Sequence, residues 1–193
     1  MTSLRHNNPP ERTVPQDAYL DAARACILDV GWRRTTLTEV ARRAGVSRMT
    51  IYRTWPDMGR LLGDLMTREW VGIVTASDPD LDIADRMLAT VRALRDNELF
   101  VRIVELDPEL LLPYLLHRRG RSQDLILDLI EDAVRAGQAG GTIRDGRPAV
   151  IARSLVLAAH GFVLSGHTMV DDEVSEEDLY AEAREVIARV LAP

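Results

Sequence analysis

From Asp17 onward, apolar residues recur every three or four positions, the spacing of helices that bury one face. Ala18, Leu20, Ala22, Ala23, Cys26, Ile27 and Val30 form the first stripe, and Gly31 offers the left-handed cap that ends it. Thr36-Leu37-Thr38-Glu39 has the form of a capping box, in which hydroxyl and carboxylate satisfy each other's backbone donors. It predicts a short second helix to about Ala44. Gly45 then permits a turn, Ser47 offers an N-cap for a third helix to about Trp55, and Pro56 breaks that helix. Asp57 caps a longer fourth helix through Leu61, Leu62, Leu65 and Met66, stopped at Ser77-Asp78-Pro79. Helical spacing continues over 83–95, 97–106, a leucine-rich segment started by Pro108, 122–139, 149–170 and 176–191, the last N-capped by Ser175. Strand alternation does not persist anywhere. The expected fold class is all-α with about nine helices. A proline-containing polar arm over 1–14 precedes a three-helix unit over 15–60 and a helical body over 61–193.

Charge divides the chain in the same place. All 24 basic residues are arginine, against 30 acidic ones, for a net charge of −6. Residues 1–60 hold ten arginines and six acids, leaving +4, whereas the remainder holds fourteen and twenty-four, leaving −10. A basic segment on an acidic body is the asymmetry of a protein that meets a polyanion with one end. The single cysteine, Cys26, excludes an intramolecular disulfide and reads as a small core residue. Arg5, His6, Asn7, Asn8, Pro9 and Pro10 stand where an export signal would be apolar, so the expected location is cytoplasmic. The uncharged stretch 154–170 is interrupted by His160, Gly161, Gly166 and His167 and reads as a buried helix, with no membrane expected as partner.

The segment Leu37 to Tyr52 is two short helices joined through a glycine turn, a helix-turn-helix. Small Ala41 suits the helix crossing, Gly45 the left-handed turn, and Val40, Val46 and Ile51 the small core. With Val46 and Ile51 inward, Arg48, Met49, Tyr52 and Arg53 lie outward or at the edges of the third helix, and Thr50 lies near its N-terminal end. Arginine donates two bonds to guanine in the major groove, while threonine and tyrosine hydroxyls donate to phosphate oxygens.

Thr35 to Leu62, with its Thr-Leu-Thr-Glu-Val-Ala-Arg-Arg-Ala-Gly-Val-Ser-Arg-Met-Thr-Ile-Tyr core, resembles the DNA-binding domain of tetracycline-repressor (TetR) type transcriptional regulators. The resemblance covers roughly residues 15–65. It implies a cofactor-free homodimer, released from palindromic operator DNA by a small apolar effector. DNA contacts are expected from Thr36, Arg48, Met49, Thr50, Tyr52, Arg53 and Arg60. Two positions depart from the family's habit: Met49 replaces a common glycine, and Met58 replaces a lysine that contacts phosphate, leaving Arg60 as a substitute. The implied dimer pairs the last two helices with their symmetry mates. Ala152, Ala159 and Gly166 recur every seven residues as a small-residue stripe, which with Leu155 and Phe162 makes the expected dimer face. Effector contacts are expected from Met66, Trp70, Met87 and Phe100, joined by Ile103, Tyr114, His117 and Phe162, because aromatic and methionine side chains line apolar cavities.

Other function classes fare worse. His160 and His167 stand two turns apart, about 10 Å, too far for one ion, so no metal is expected. The chain has no glycine-rich phosphate loop or nucleophile elbow, which argues against an enzyme. A protein-binding adaptor would carry an apolar third helix, against which Arg48 and Arg53 speak.

Overall fold

Caps and breakers divide the chain much as its sequence predicts. The computed structural model describes residues 16–78 and 80–193, so the arm over 1–14 lies outside the described residues. Among those described there are ten α-helices and no strand: α1 (Gln16–Val30), α2 (Leu37–Arg43), α3 (Arg48–Thr54), α4 (Met58–Thr75), α5 (Ile83–Arg95), α6 (Glu98–Leu106), α7 (Leu112–Leu116), α8 (Arg121–Ala139), α9 (Pro148–Ser165) and α10 (Glu176–Leu191). The extra helix is α7, where Pro113 sits in the first turn after a 3₁₀ turn over Pro108–Leu110. The stretch expected as one helix to residue 170 ends at Ser165. There the chain tightens into a 3₁₀ turn, and the Thr168 hydroxyl donates to the Ser165 carbonyl at 2.8 Å.

Two cores result. The first gathers Ala23, Ile27, Val40, Ala41, Ile51, Trp55, Leu61 and Leu65 from α1 to α4, and it takes in Leu99 and Ile103 of α6. Each fully buried aliphatic side chain here contributes about 1.5–3 kcal/mol. Cys26 belongs to this core, and burial pushes its thiol pKa up, away from the reactive thiolate. The second core joins α5, α8, α9 and α10 around Leu88, Val91, Val134, Leu155 and Ile187. Helix α4 serves both: Leu61, Leu62 and Leu65 lie in the first, and Trp70 packs against each.

Polar links reinforce the junction. Asp107, only 3% exposed, accepts from the Trp32 backbone N–H at 3.0 Å, tying the α1–α2 loop to the end of α6. Arg24 bridges Glu69 and Glu98 at 3.3 Å each. The first three helices therefore rest on the body through α4 and α6.

Helix α9 is only half covered, contrary to the expectation of a buried helix. By length and composition it is apolar enough to cross a membrane, but its inner face, with Ile151, Leu155 and Val163, is spent on the second core. Its other face, with Val150, Leu157, Ala158 and Gly161, is exposed.

Candidate nucleic-acid interface and ligand cavity

The helix-turn-helix is held by caps and a glycine. Thr36 Oγ1 accepts from the Glu39 N–H at 3.2 Å and Ser47 Oγ accepts from the Thr50 N–H at 3.2 Å. Only half of the capping box predicted at Thr36 forms. The Glu39 carboxylate turns instead to Arg42, which donates to it at 2.9 and 2.6 Å and holds its pKa below the usual carboxylate range. Between the helices Gly45 takes φ +69°, and Val46 N–H closes back onto the Ala41 carbonyl at 3.0 Å.

Ile51 and Trp55 anchor α3 from beneath, the latter with its ring edge-on to Tyr19. The opposite face is outward: Met49 is 78% and Tyr52 43% exposed, with Arg48 and Arg53 beside them. The bulk that replaces glycine at position 49 therefore projects away from the core. Met58 packs against the first core and presents no polar group outward, while Arg60 stands exposed in the first turn of α4. Thr50 is half-buried, its hydroxyl 2.8 Å from that of Ser47. Thr36 is exposed, its lone pair engaged by the cap.

The arginines here fall into two groups. Arg33, Arg42 and Arg43 pair with Glu109, Glu39 and Asp29. Arg34 in the α1–α2 loop, and Arg48, Arg53 and Arg60, have no acidic partner among the described residues. Three unneutralised cations thus share the surface made by α3 and the start of α4.

Behind this unit, a cavity of about 250 Å³ opens among α4, α5, α8 and α9, with the segment around 110–115 beside it. Met66, Trp70, Met87, Phe100 and Tyr114 line it, as expected. Three expected residues do not. Ile103 is fully buried in the first core, Phe162 packs against the second, and His117 is exposed at the end of α7. Seven polar lining residues were missed: Ser77, Arg86, Thr90, Arg121, Ser122, Gln123 and His160. A signal existed for two of them, since Arg86 and Thr90 interrupt the apolar spacing of Ile83, Met87, Val91 and Leu94 on α5. Burial keeps the His160 imidazole neutral by lowering its pKa.

Cavity and α3 share a polar connection. Arg121, in the first turn of α8 and in the cavity wall, donates to Asp64 Oδ1 at 2.9 Å; the other oxygen of Asp64 accepts from the Trp55 indole N–H at 2.8 Å.

The expected dimer face needs correction. Ala152, Leu155 and Gly166 are buried within the chain, and Ala159 and Phe162 are half-buried against the second core, because the small-residue stripe lets α9 approach the chain's own helices. The apolar surface left outward is Val150 and Leu157 on α9, 48% and 70% exposed, with Val186 and Val190 on α10, 53% and 47% exposed.

Comparison with known proteins agrees with this architecture. The sequence profile of bacterial regulatory proteins of the tetR family matches residues 20–65. Rv2250c, an uncharacterized HTH-type transcriptional regulator of Mycobacterium tuberculosis (strain ATCC 25618 / H37Rv), is 31% identical over 150 residues, covering 76% of this chain and 78% of its own. The HTH-type transcriptional regulator AlkX of the same strain is 49% identical over 41 residues, 21% of this chain and 19% of its own. Among solved structures, the R. erythropolis transcriptional repressor QsdR superposes with a TM-score of 0.67 at 16% identity, covering 91% of this chain and 93% of its own. The fatty acid degradation regulator FadR from Bacillus halodurans superposes with 0.60 at 17% identity, covering 92% and 97%. At these identities the structures share the all-helical fold.

Proposed function

The chain belongs to the tetR family of bacterial regulatory proteins and is a transcriptional regulator with a helix-turn-helix DNA-binding domain; on that premise we propose that it is a cytoplasmic homodimeric repressor, released from palindromic operator DNA when a small, largely apolar molecule fills the cavity. The observation that carries the reading is the pairing of the arginines. Cations on α2 are neutralised within the chain, whereas Arg48, Arg53 and Arg60 are left for a polyanion.

In this reading Arg48 and Arg53 meet base edges or phosphates, while the Thr36, Thr50 and Tyr52 hydroxyls donate to phosphate oxygens and Met49 makes apolar contact in the groove. The three-helix unit over 15–60 carries DNA contact and the body over 61–193 carries ligand and dimer contacts. Two copies pair through the exposed stripe of Val150, Leu157, Val186 and Val190. That apolar surface favours a second copy in a two-fold arrangement.

Release follows from geometry. In a two-fold dimer both α3 helices must meet successive major grooves about 34–36 Å apart. A ligand that shifts α4 or the Arg121–Asp64–Trp55 connection changes that separation. Differential affinity of about 1–3 kcal/mol between the two spacings is sufficient, and operator must weaken ligand binding by the same factor.

The test is a fluorescence-anisotropy titration of a duplex selected from random sequence, at several salt concentrations. Affinity should fall steeply as salt rises. Absence of duplex binding, or binding indifferent to salt, overturns the reading.

A further inference from the structure

The cavity wall is apolar except at a few places, and its charges are unbalanced. Among the described residues no aspartate or glutamate lines it, yet two arginines do. One of these, Arg121, is neutralised by Asp64 at 2.9 Å. The other, Arg86 on α5, is half-buried and uses its Nε to donate to the Ser77 hydroxyl at 3.3 Å, while that hydroxyl donates onward to the Val74 carbonyl. Its two terminal nitrogens have no acceptor among the described residues. The carboxylates on its own helix are already taken, since Arg184 of α10 binds Asp82 at 3.0 Å and Asp85 at 2.7 Å. A half-buried guanidinium with no counter-charge is open to an anion in the cavity, and one planar fork fits one planar carboxylate with two parallel bonds.

Resting on the effector reading of this cavity, we propose that its ligand is an amphipathic monocarboxylate, its carboxylate held by Arg86 and its apolar body lying against Trp70, Met87 and Phe100. Size sets the body. A dry cavity of about 150 Å³ holds benzene, so the same packing fills this one with about ten non-hydrogen atoms. Phosphoryl groups fit poorly, because a dianion needs more than one free cation and large phosphorylated carriers exceed the volume. A cationic ligand meets Arg86 with no carboxylate in the wall to receive it. The neutral His160 of α9 adds a hydrogen-bond donor to the same wall, whereas the Thr90 hydroxyl, one turn along α5, already donates to the Arg86 carbonyl at 2.8 Å.

Three probes of nearly equal shape decide the matter by isothermal titration calorimetry on the full chain: octanoate, octanamide and octylamine. Octanoate should bind at least about tenfold more tightly than octanamide, the difference expected for a hydrogen bond to a charged group, and octylamine should not bind. Arg86→Gln should bring octanoate and octanamide to within about threefold of each other, and Arg86→Lys, which keeps charge but loses the fork, should fall between. The wild-type comparison stands even if a variant folds poorly. Equal wild-type affinities for octanoate and octanamide, a preference that survives Arg86→Gln, or failure of all three probes to bind overturns the carboxylate assignment, whatever the protein does with DNA. Octanoate that binds through Arg86 without changing affinity for a selected duplex upholds the assignment and overturns the effector reading instead.

Discussion

The indole N–H of Trp55, at the end of α3, donates at 2.8 Å to Asp64, seated one helix further along the chain. Trp55 is 1% exposed, so this bond satisfies a buried donor, and it fixes the end of α3 against α4. Asp64→Ala should lower unfolding free energy by about 1–3 kcal/mol, the cost of an orphaned buried donor, as measured by urea denaturation. Arg121→Gln removes only the outer ion pair, which is largely exposed, and should leave stability within about 1 kcal/mol of wild type.

The two classes of arginine predict a contrast in DNA binding. Arg48→Ala and Arg53→Ala should each weaken duplex binding and reduce its salt dependence by about one counterion, or relax preference at one base pair by about 1–3 kcal/mol. Arg42→Ala breaks a pair with Glu39 on α2 and should change affinity less. Anisotropy titrations across a salt series separate the three.

Two glycines resist alanine for different reasons. At Gly45 the backbone is left-handed, φ +69°, with open space where a side chain would go, so the cost is conformational, about 1–2 kcal/mol. At Gly137 on α8 a Cβ would sit 2.5 Å from Ile143 Cδ1, and overpacking of about 1–3 kcal/mol opposes the roughly 1 kcal/mol gained in helix propensity. Urea denaturation should show both variants destabilised, Gly45→Ala losing DNA affinity as well.

His160 predicts a pH dependence. Its folded pKa lies below the ordinary histidine value, so on acidification the unfolded chain takes up the proton first. Stability therefore falls as pH drops through about 6.5 toward the lower folded value, and recovers as pH rises. In His160→Gln the loss between pH 7.5 and pH 5.5 should be smaller. Identical pH dependence in thermal unfolding would show that His160 does not contribute.

Leu157 tests the association face. At 70% exposed it contributes nothing to the chain's own core, so Leu157→Glu should leave the fold intact while sedimentation velocity shows the wild-type chain as the proposed dimer and the variant as monomer.

Local chemistry made much of this legible. Ser47, Asp57 and Ser175 cap the helices they were expected to cap, and Gly31 and Gly45 take the left-handed conformation expected of them. The outward residues of α3 followed from the inward pair Val46 and Ile51. Long-range choices were not legible. Glu39 has two partners within reach, its N-cap and Arg42, and spacing alone does not rank them. A stripe of small residues on α9 serves a partner helix in the same chain or another equally well, and here it serves the same chain. Ile103 and Met87 look alike in sequence, yet one lies in the first core and the other in the cavity wall, because α6 packs on α1. The bond from Trp55 to Asp64 to Arg121 joins three helices across 66 positions of chain and leaves no local trace.

The central claim is that two copies of α3, held by one dimer, read DNA together. Selection of bound duplexes from a random library, followed by sequencing, measures this directly. The account predicts an inverted repeat whose half-site centres lie about one helical turn, 34–36 Å, or a whole multiple of it apart. Enrichment of a single unrepeated site, or of no sequence at all, would contradict it.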